Sequence, residues 1–228
     1  MRSPLAWIVL FDSNVEAIPS EVASDRAFAR SQDSTKKQKE YTILDRATHH
    51  FAMRRLPNSE RRGRPDIVHV SILSIADSPA YADGLVNFVV HTVGDKVMVP
   101  TAAWRPPRNY RNFLGLMEEL LQFGRAPSVG QPVLSLKSGT VKGAVDRTRA
   151  ERVVLLSSHG NQSSLSEEVK DLRRYVVAYL IGGYAKGGPR QEVVRLADKV
   201  VSIHRSSLSS SIVISRLLYE IEKSIGRP

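Results

Sequence analysis

Cysteine is missing altogether from the 228 residues, which excludes disulfides, zinc ribbons, thiol nucleophiles and iron–sulfur clusters. Any metal would then need histidine and carboxylates. The six histidines, at positions 49, 50, 69, 91, 159 and 204, show neither HExxH nor HxH spacing. His49 and His50 are adjacent, and on a helix they would point about 100° apart, too far to share an ion. No metal is expected. Long apolar runs are missing too, since none approaches the roughly 18 residues that cross a bilayer. The apolar opening, 5–11, is too short, and too soon interrupted by Asp12, to be the core of a signal peptide. These absences predict a cytoplasmic protein with no membrane partner. Nucleotide-binding loops are absent as well. The glycines from Gly182 to Gly188 do not make GxGxxG, and Gly188 stands where a phosphate-binding P-loop requires lysine. GxSxG is missing, and the adjacency of Ser157, Ser158 and His159 says little about geometry, so hydrolase chemistry is disfavoured.

Acid is the scarce charge: 23 Asp and Glu stand against 33 Lys and Arg, a net charge of +10. The excess is concentrated. From Arg46 to Arg64 six arginines face a single acid, Glu60, and Arg105, Arg108 and Arg111 follow with no acid between them. Those two segments hold +8 of the net charge. Arginine presents a planar fork that matches phosphate oxygens and can also stack on bases, so this charge reads as a footprint for nucleic acid. A solvated basic face is the plainer alternative.

An apolar content of 42% allows a sizeable core, and composition forces no domain boundary, so one domain over 1–228 is the expectation. The run 5–11 suits a buried strand by its length. Residues 14–40 read as a surface helix and a basic connection ending in Lys36-Lys37-Gln38-Lys39. Pro65 in a first turn, with Asp66 at its positive end, starts a helix that runs to about Ala76 and stops before Pro79. Residues 85–92 and 96–99 flank Val93-Gly94-Asp95 as a hairpin. A helix over 110–123 carries one stripe of Phe113, Leu116, Met117, Leu120 and Leu121 and ends at Gly124. From 152 onward the rhythm is α/β. Strands at 152–156, 175–181 and 199–203 alternate with 165–173 and 193–197, and they read as buried and parallel. A last helix, from about 210 to 225, repeats Val213, Leu217, Ile221 and Ile225, with Leu218 widening the stripe.

Three of these strands end in Ser/Gly-rich segments: Ser157-Ser158-His159-Gly160, then 182–188, then 204–209. Ligands of open α/β sheets bind beyond the carboxyl ends of the strands, where glycine lets backbone amides come close. Either these are simple tight turns, or they form one pocket. A basic surface beside a backbone-lined pocket, with little acid–base machinery, fits a group-transfer enzyme working on RNA, because an activated methyl donor needs positioning more than chemistry.

Four ordered motifs then carry a family resemblance over most of the chain. Arg64-Pro65-Asp66-Ile67-Val68-His69, with Asp77-Ser78-Pro79 and His91-Thr92 behind it, is similar to the central signature of the SPOUT-class small-subunit rRNA pseudouridine methyltransferases. Arg105-Pro106-Pro107-Arg108 followed by Phe113-Leu114-Gly115-Leu116-Met117 resembles their second basic motif. Ile181 to Gly187, and Val201-Ser202-Ile203 leading to Leu208-Ser209, resemble their two cofactor loops. The chain departs from the family at Lys186, Ser207 and Asn112, where histidine, proline and arginine are usual, with Arg111 beside Asn112, and in the stretch from Ser157 to Asp171, which is longer and more polar than the family's.

The resemblance implies an α/β-knot fold with a deep C-terminal trefoil knot, a homodimer, S-adenosyl-L-methionine as donor, and methylation of nitrogen-1 of a pseudouridine in small-subunit rRNA during ribosome biogenesis. RNA-binding motifs would lie in 46–112 and cofactor loops in 155–209. By position, Leu156, Gly182, Gly183, Gly187, Ile203, His204, Arg205, Ser206, Ser207 and Leu208 would bind the cofactor. Arg64, Arg105 and Arg108, with Arg111 and Asn112, would meet the RNA, and Arg64 and Asp66 would form the catalytic pair. Arg64 would stabilise charge building on the base carbonyls. Asp66 would orient Arg64 or act as general base, and the orienting role is favoured because a carboxylate among arginines has a lowered pKa. Two rivals stand: an rRNA-binding assembly factor without catalysis, and a methyltransferase of the same fold acting on another nucleoside. The RPDIVH and RPPR motifs oppose the second.

Overall fold

Apolar side chains on both faces of a strand require packing layers on both sides, and the first strand shows why. In β1 (Ala6–Ser13), Ile8 and Leu10 enter one apolar core while Val9 and Phe11 enter another. The run is therefore continuous rather than alternating. The computed structural model describes residues 3–20, 41–101 and 104–226. After β1 come α1 (Arg46–Met53), a 3-10 turn (Ser59–Arg61), α2 (Pro65–Ala76), α3 (Pro79–Ala82), β2 (Val86–Thr92) and β3 (Lys96–Pro100). Then follow α4 (Tyr110–Phe123), β4 (Arg125–Ala126), β5 (Leu134–Ser138), α5 (Val141–Thr148) and β6 (Arg152–Gln162). The chain closes with α6 (Leu165–Glu168), a second 3-10 turn (Lys170–Arg173), β7 (Val177–Gly182), α7 (Gln191–Leu196), β8 (Lys199–Ser202) and α8 (Ser210–Ser224).

The eight strands form one mixed sheet in the order β4-β5-β3-β2-β1-β7-β6-β8. β2, β1, β7, β6 and β8 are parallel, and β3, β5 and β4 continue the sheet antiparallel. One face is covered by α2, α4 and α8, which bring Ile72, Phe113, Met117, Ile214 and Leu217 against Ile8, Phe88 and Tyr179. The other is covered by α5 and α7 through Val141, Ala144 and Val193 against Val9, Leu155 and Leu180.

Helices α2 and α4 and the β2–β3 hairpin stand where the periodicity expects them. Pro65 opens α2 with Asp66 in its first turn. Asn109 caps α4 by accepting a hydrogen bond from the Asn112 amide, and Gly124 ends it in the left-handed region at φ 68°. The stretch 165–173 is not one helix: it divides into α6 and a 3-10 turn. Ser164 caps the first, and the backbone then tightens to let the Tyr179 hydroxyl donate to the Glu168 carbonyl at 3.0 Å. Elements α1, α5, β4 and β5 were not legible from periodicity: α1 and α5 are eight residues each, barely two turns, and β4 and β5 are two and five residues long. Of the surface helix and basic connection expected over 14–40, residues 21–40 lie outside the described residues; before them, Ala17 forms a lone antiparallel bridge with Ile43.

Candidate ligand cleft and arginine rim

Strands β6 and β8 pair out of step: Leu156 and Asn161 both lie opposite Val201, so residues 157–160 bulge from the ladder. This bulge, the loop after β7 and the loop after β8 enclose a cleft of about 410 Å³ at the carboxyl ends of the parallel strands. The three Ser/Gly-rich segments thus do converge, although Ser157 to Gly160 lie within β6 instead of following it. Leu156, Gly182, Gly187, Ile203, His204, Ser206, Ser207 and Leu208 line the cleft, and Phe11, Tyr184 and Val213 add apolar wall. Gly183 and Arg205 do not line it.

Gly183 has a different task. Its amide donates to the Phe11 carbonyl at 2.8 Å and its carbonyl accepts from the Asn14 amide at 3.2 Å, so it stitches the end of β7 to the end of β1. A Cβ there would lie 2.8 Å from Ser13 Cα, closer than backbone permits. Gly160 is compelled in the same way, because a Cβ would meet the Val200 and Val201 backbone at 2.6 Å. The serine loop is closed by its own contacts: Ser202 Oγ donates to the His204 carbonyl, the Ser206 amide donates to His204 Nδ1, and Ser210 Oγ donates to the Gly182 carbonyl at 2.6 Å.

No Asp or Glu is among the residues lining the cleft. A cationic group inside it would be held by carbonyl oxygens. The charged side chain at the rim is Arg64, which precedes Pro65 at the start of α2. Arg64 Nε and Nη2 donate to the two Asp66 carboxylate oxygens at 2.8 and 2.7 Å, a bidentate pair open to solvent. The hydrogen bonds from Arg64 hold the Asp66 carboxyl below the usual carboxylate range, and burial offsets this only in part.

The neighbouring arginines are not free charge. Arg62 pairs with Glu16, Arg61 turns inward to Asp12 and Gly188, and the Arg46 guanidinium bonds the Ser59 carbonyl. Three of the six arginines of the basic run, Arg46, Arg61 and Arg62, are thus engaged by groups of the fold itself. Arg105 and Arg108 lie at the other end of α2, where Arg105 Nη1 donates to the Ala76 carbonyl at 3.0 Å and Arg108 Nη2 to Asp77 at 3.1 Å. A 12-residue helix is about 18 Å long, so one chain does not bring these two next to Arg64. His69 joins the two ends: its Nε2 is 2.7 Å from the Pro107 carbonyl and its ring stacks on Phe113 at 4.5 Å. Arg111 and Asn112 are exposed in the first turn of α4, and Arg111 has no side-chain partner among the described residues.

Sequence reasoning missed Asp12, Arg61 and Arg190. The Asp12 carboxylate is nearly buried, and Arg190 donates to it twice, at 2.7 and 3.1 Å. An acid ending an apolar strand was the one signal available. Among the described residues no group of three His, Asp or Glu could hold a metal, and no helix is long and apolar enough to cross a membrane.

These features define an α/β protein with a backbone-lined cleft at the carboxyl ends of its parallel strands and an arginine–carboxylate pair on the rim. The EMG1/NEP1 methyltransferase family model matches residues 8–222, and the chain belongs to that family. It is 32% identical over 223 residues to the ribosomal RNA small subunit methyltransferase Nep1 of Staphylothermus marinus, covering 97% of this chain and 96% of that one. The Nep1 of Methanothrix thermoacetophila is 33% identical over 218 residues, with 96% of each chain covered. Among solved structures, Archaeoglobus fulgidus Nep1 bound to S-adenosylhomocysteine superposes with a TM-score of 0.85 at 31% identity, covering 97% of this chain and 99% of that one.

Proposed function

We propose that the protein transfers a methyl group from S-adenosyl-L-methionine to nitrogen-1 of a pseudouridine in small-subunit rRNA, as a step in ribosome biogenesis. The observation that carries this reading is that Arg64, from the substrate-side motif, stands on the rim of the cleft formed by the three glycine- and serine-rich segments. One cleft thereby joins a donor site to an RNA-facing guanidinium. The cleft suits the donor: it has apolar wall for a base, backbone groups for a ribose and an amino acid, and no carboxylate. Leu156, Gly182, Gly187 and Ile203 to Leu208 would hold it, with Gly183 setting the floor and Arg205 outside the wall. When bound, the donor supplies an already activated methyl group.

The chain's own residues then align and stabilise. Arg64, fixed by Asp66, faces the base carbonyls, where negative charge builds as the ring N–H proton leaves to water; that charge is discharged as the N–C bond forms and the S–C bond to the methyl group breaks, with S-adenosylhomocysteine leaving. Asp66 orients; a carboxylate held ionised by two guanidinium hydrogen bonds is a poor proton acceptor. Arg105, Arg108 and Arg111 meet phosphates, with Arg111 taking the contact that Asn112 cannot make. A homodimer belongs to this reading. Exposed Val70 on α2, and Ile212 and Tyr219 on α8, which packs against α2, are apolar surface that a second copy would cover. So does a deep trefoil knot in the segment from β6 to α8, supported by the order β7-β6-β8.

The test is methyl transfer from labelled S-adenosylmethionine to two matched rRNA hairpins, with pseudouridine or uridine at the same loop position. Label is expected in the pseudouridine hairpin alone. Tight binding to both hairpins with no label in either would favour the assembly-factor reading. Arg108→Ala is expected to lower the slope of log affinity against log salt by about 0.7–0.9, the loss of one phosphate contact. Filter binding across a KCl series checks this, and an unchanged slope removes Arg108 from the interface.

A further inference from the structure

The cleft wall and the arginine turn meet at a single guanidinium. Arg61 ends the 3-10 turn that leads into Arg64, and its side chain reaches into the loop after β7. Nη1 donates to the Gly188 carbonyl at 3.1 Å, Cζ lies 4.4 Å from the Tyr184 ring centroid, and Nη2 is 3.9 Å from the Asp12 carboxylate. Gly187, at φ +91°, comes so close that a Cβ would stand 3.0 Å from Nη1. Tyr184 packs edge-on against Phe11 at 5.7 Å, and both line the cleft. Burial pushes the Tyr184 phenol up to about 12, so the ring that Arg61 covers stays neutral at physiological pH. The far end of the loop is pinned to the same Asp12 by Arg190.

The turn is held on its other side as well. The Gly63 carbonyl accepts from the Arg46 amide at 2.8 Å, and the Arg46 side chain bonds the Ser59 carbonyl. A displacement of the loop therefore reaches Arg64 through a short, braced segment. We propose that Arg61 is a positioning residue that ties the cofactor loop, 183–190, to the Arg64 turn, so that filling the cleft and binding RNA strengthen each other. This rests on the reading of the cleft and of Arg64 given above. The physical ground is the bridge itself: Arg61 bonds the Gly188 carbonyl and covers Tyr184 from the turn that leads into Arg64, so a ligand that favours one position of the loop favours one position of the turn as well. Linkage requires the effect to be equal in both directions.

Calorimetry on the full chain tests this with S-adenosylhomocysteine and the pseudouridine hairpin, each titrated alone and in the presence of the other. In the wild type each ligand is expected to tighten the other by the same factor, on the order of 5–20-fold. In Arg61→Ala both are expected to bind still, with that factor reduced to about 1. Should the alanine variant fail to fold, Arg61→Gln, which keeps a donor for the Gly188 carbonyl but loses the charged planar fork, is read in the same way. Independent binding in the wild type, or undiminished coupling in the variant, overturns the inference and leaves the site reading standing. Binding of neither ligand by the wild type overturns both.

Discussion

Arg64→Ala is expected to lower kcat/KM for methyl transfer to the pseudouridine hairpin by about 10²–10³-fold, the range seen when one preorganised charge-stabilising donor is removed. Two losses add. On the proposed reading the donor facing the base carbonyls disappears, and Asp66, released from its bidentate pair, becomes an unpaired negative charge on the proposed RNA path. Calorimetry with S-adenosylhomocysteine is expected to show nearly unchanged affinity, whereas hairpin affinity falls. If the cofactor signal vanishes instead, Arg64 belongs to the donor site. Asp66→Asn separates the two roles of the carboxylate: an orienting Asp66 predicts that RNA affinity and rate fall together, and loss of rate alone would make it the base. The sign of the pH effect agrees with orientation. A carboxyl lowered by its arginine partner contributes its stabilisation above the unfolded-state carboxylate range and loses it as pH falls through the lowered folded value. Between pH 6 and 8 the pair therefore stays closed.

Gly183→Ala is expected to destabilise the chain by about 2–3 kcal/mol, as overpacking a close backbone contact does, and to abolish methyl transfer. The new methyl group would sit 2.8 Å from both Cα and Cβ of Ser13, and neither belongs to a flexible side-chain end that could swing away. The ends of β1 and β7 must then part, and the Gly183–Phe11 and Asn14–Gly183 hydrogen bonds under the cleft go with them. In a domain of this size the cost corresponds to a fall in Tm of roughly 5–10 °C, measurable by calorimetry or circular dichroism. Gly115→Ala is the contrasting control. Gly115 is exposed in α4 with nothing within 4 Å of a Cβ, so alanine there is expected to raise stability by about 0.8–1 kcal/mol. A Gly183→Ala variant that melts like the wild type would show that the β1–β7 junction has room to relax.

Elements were legible in the sequence in proportion to their length and to the clarity of their ends. α2 could be read from Pro65, Asp66 and the stop before Pro79, and α4 from a three-turn apolar stripe closed by Gly124. α1, with two histidines and an exposed Phe51 among its eight residues, shows no such stripe. Ser157 to Gly160 looked like a loop because serine and glycine favour turns, but the chain keeps a strand conformation through a wide bulge. The charge of the arginine run was plain, and its destination was not. A guanidinium reads the same in sequence whether it faces phosphate, as expected of Arg108, or a half-buried carboxylate, as Arg62 does with Glu16.

By itself the sequence determined the chemical limits: no thiol and no metal spacing, an α/β rhythm, an excess of arginine, and the four ordered motifs that place the chain in its family. These depend on residue identity and on spacings of a few positions, where backbone geometry is nearly uniform. Only the tertiary structure decided that three separate Ser/Gly segments share one cleft with Arg64 on its rim, that Arg105 and Arg108 stand at the opposite end of α2, and that Gly183 supports the cleft without lining it. It also decided that Asp12 is the hub for Arg61 and Arg190. The reason is separation along the chain: Arg190 and Asp12 are 178 positions apart, and a contact across that distance leaves no periodicity for either segment to display. It exists because parallel strands from distant parts of the sequence end at the same edge of one sheet.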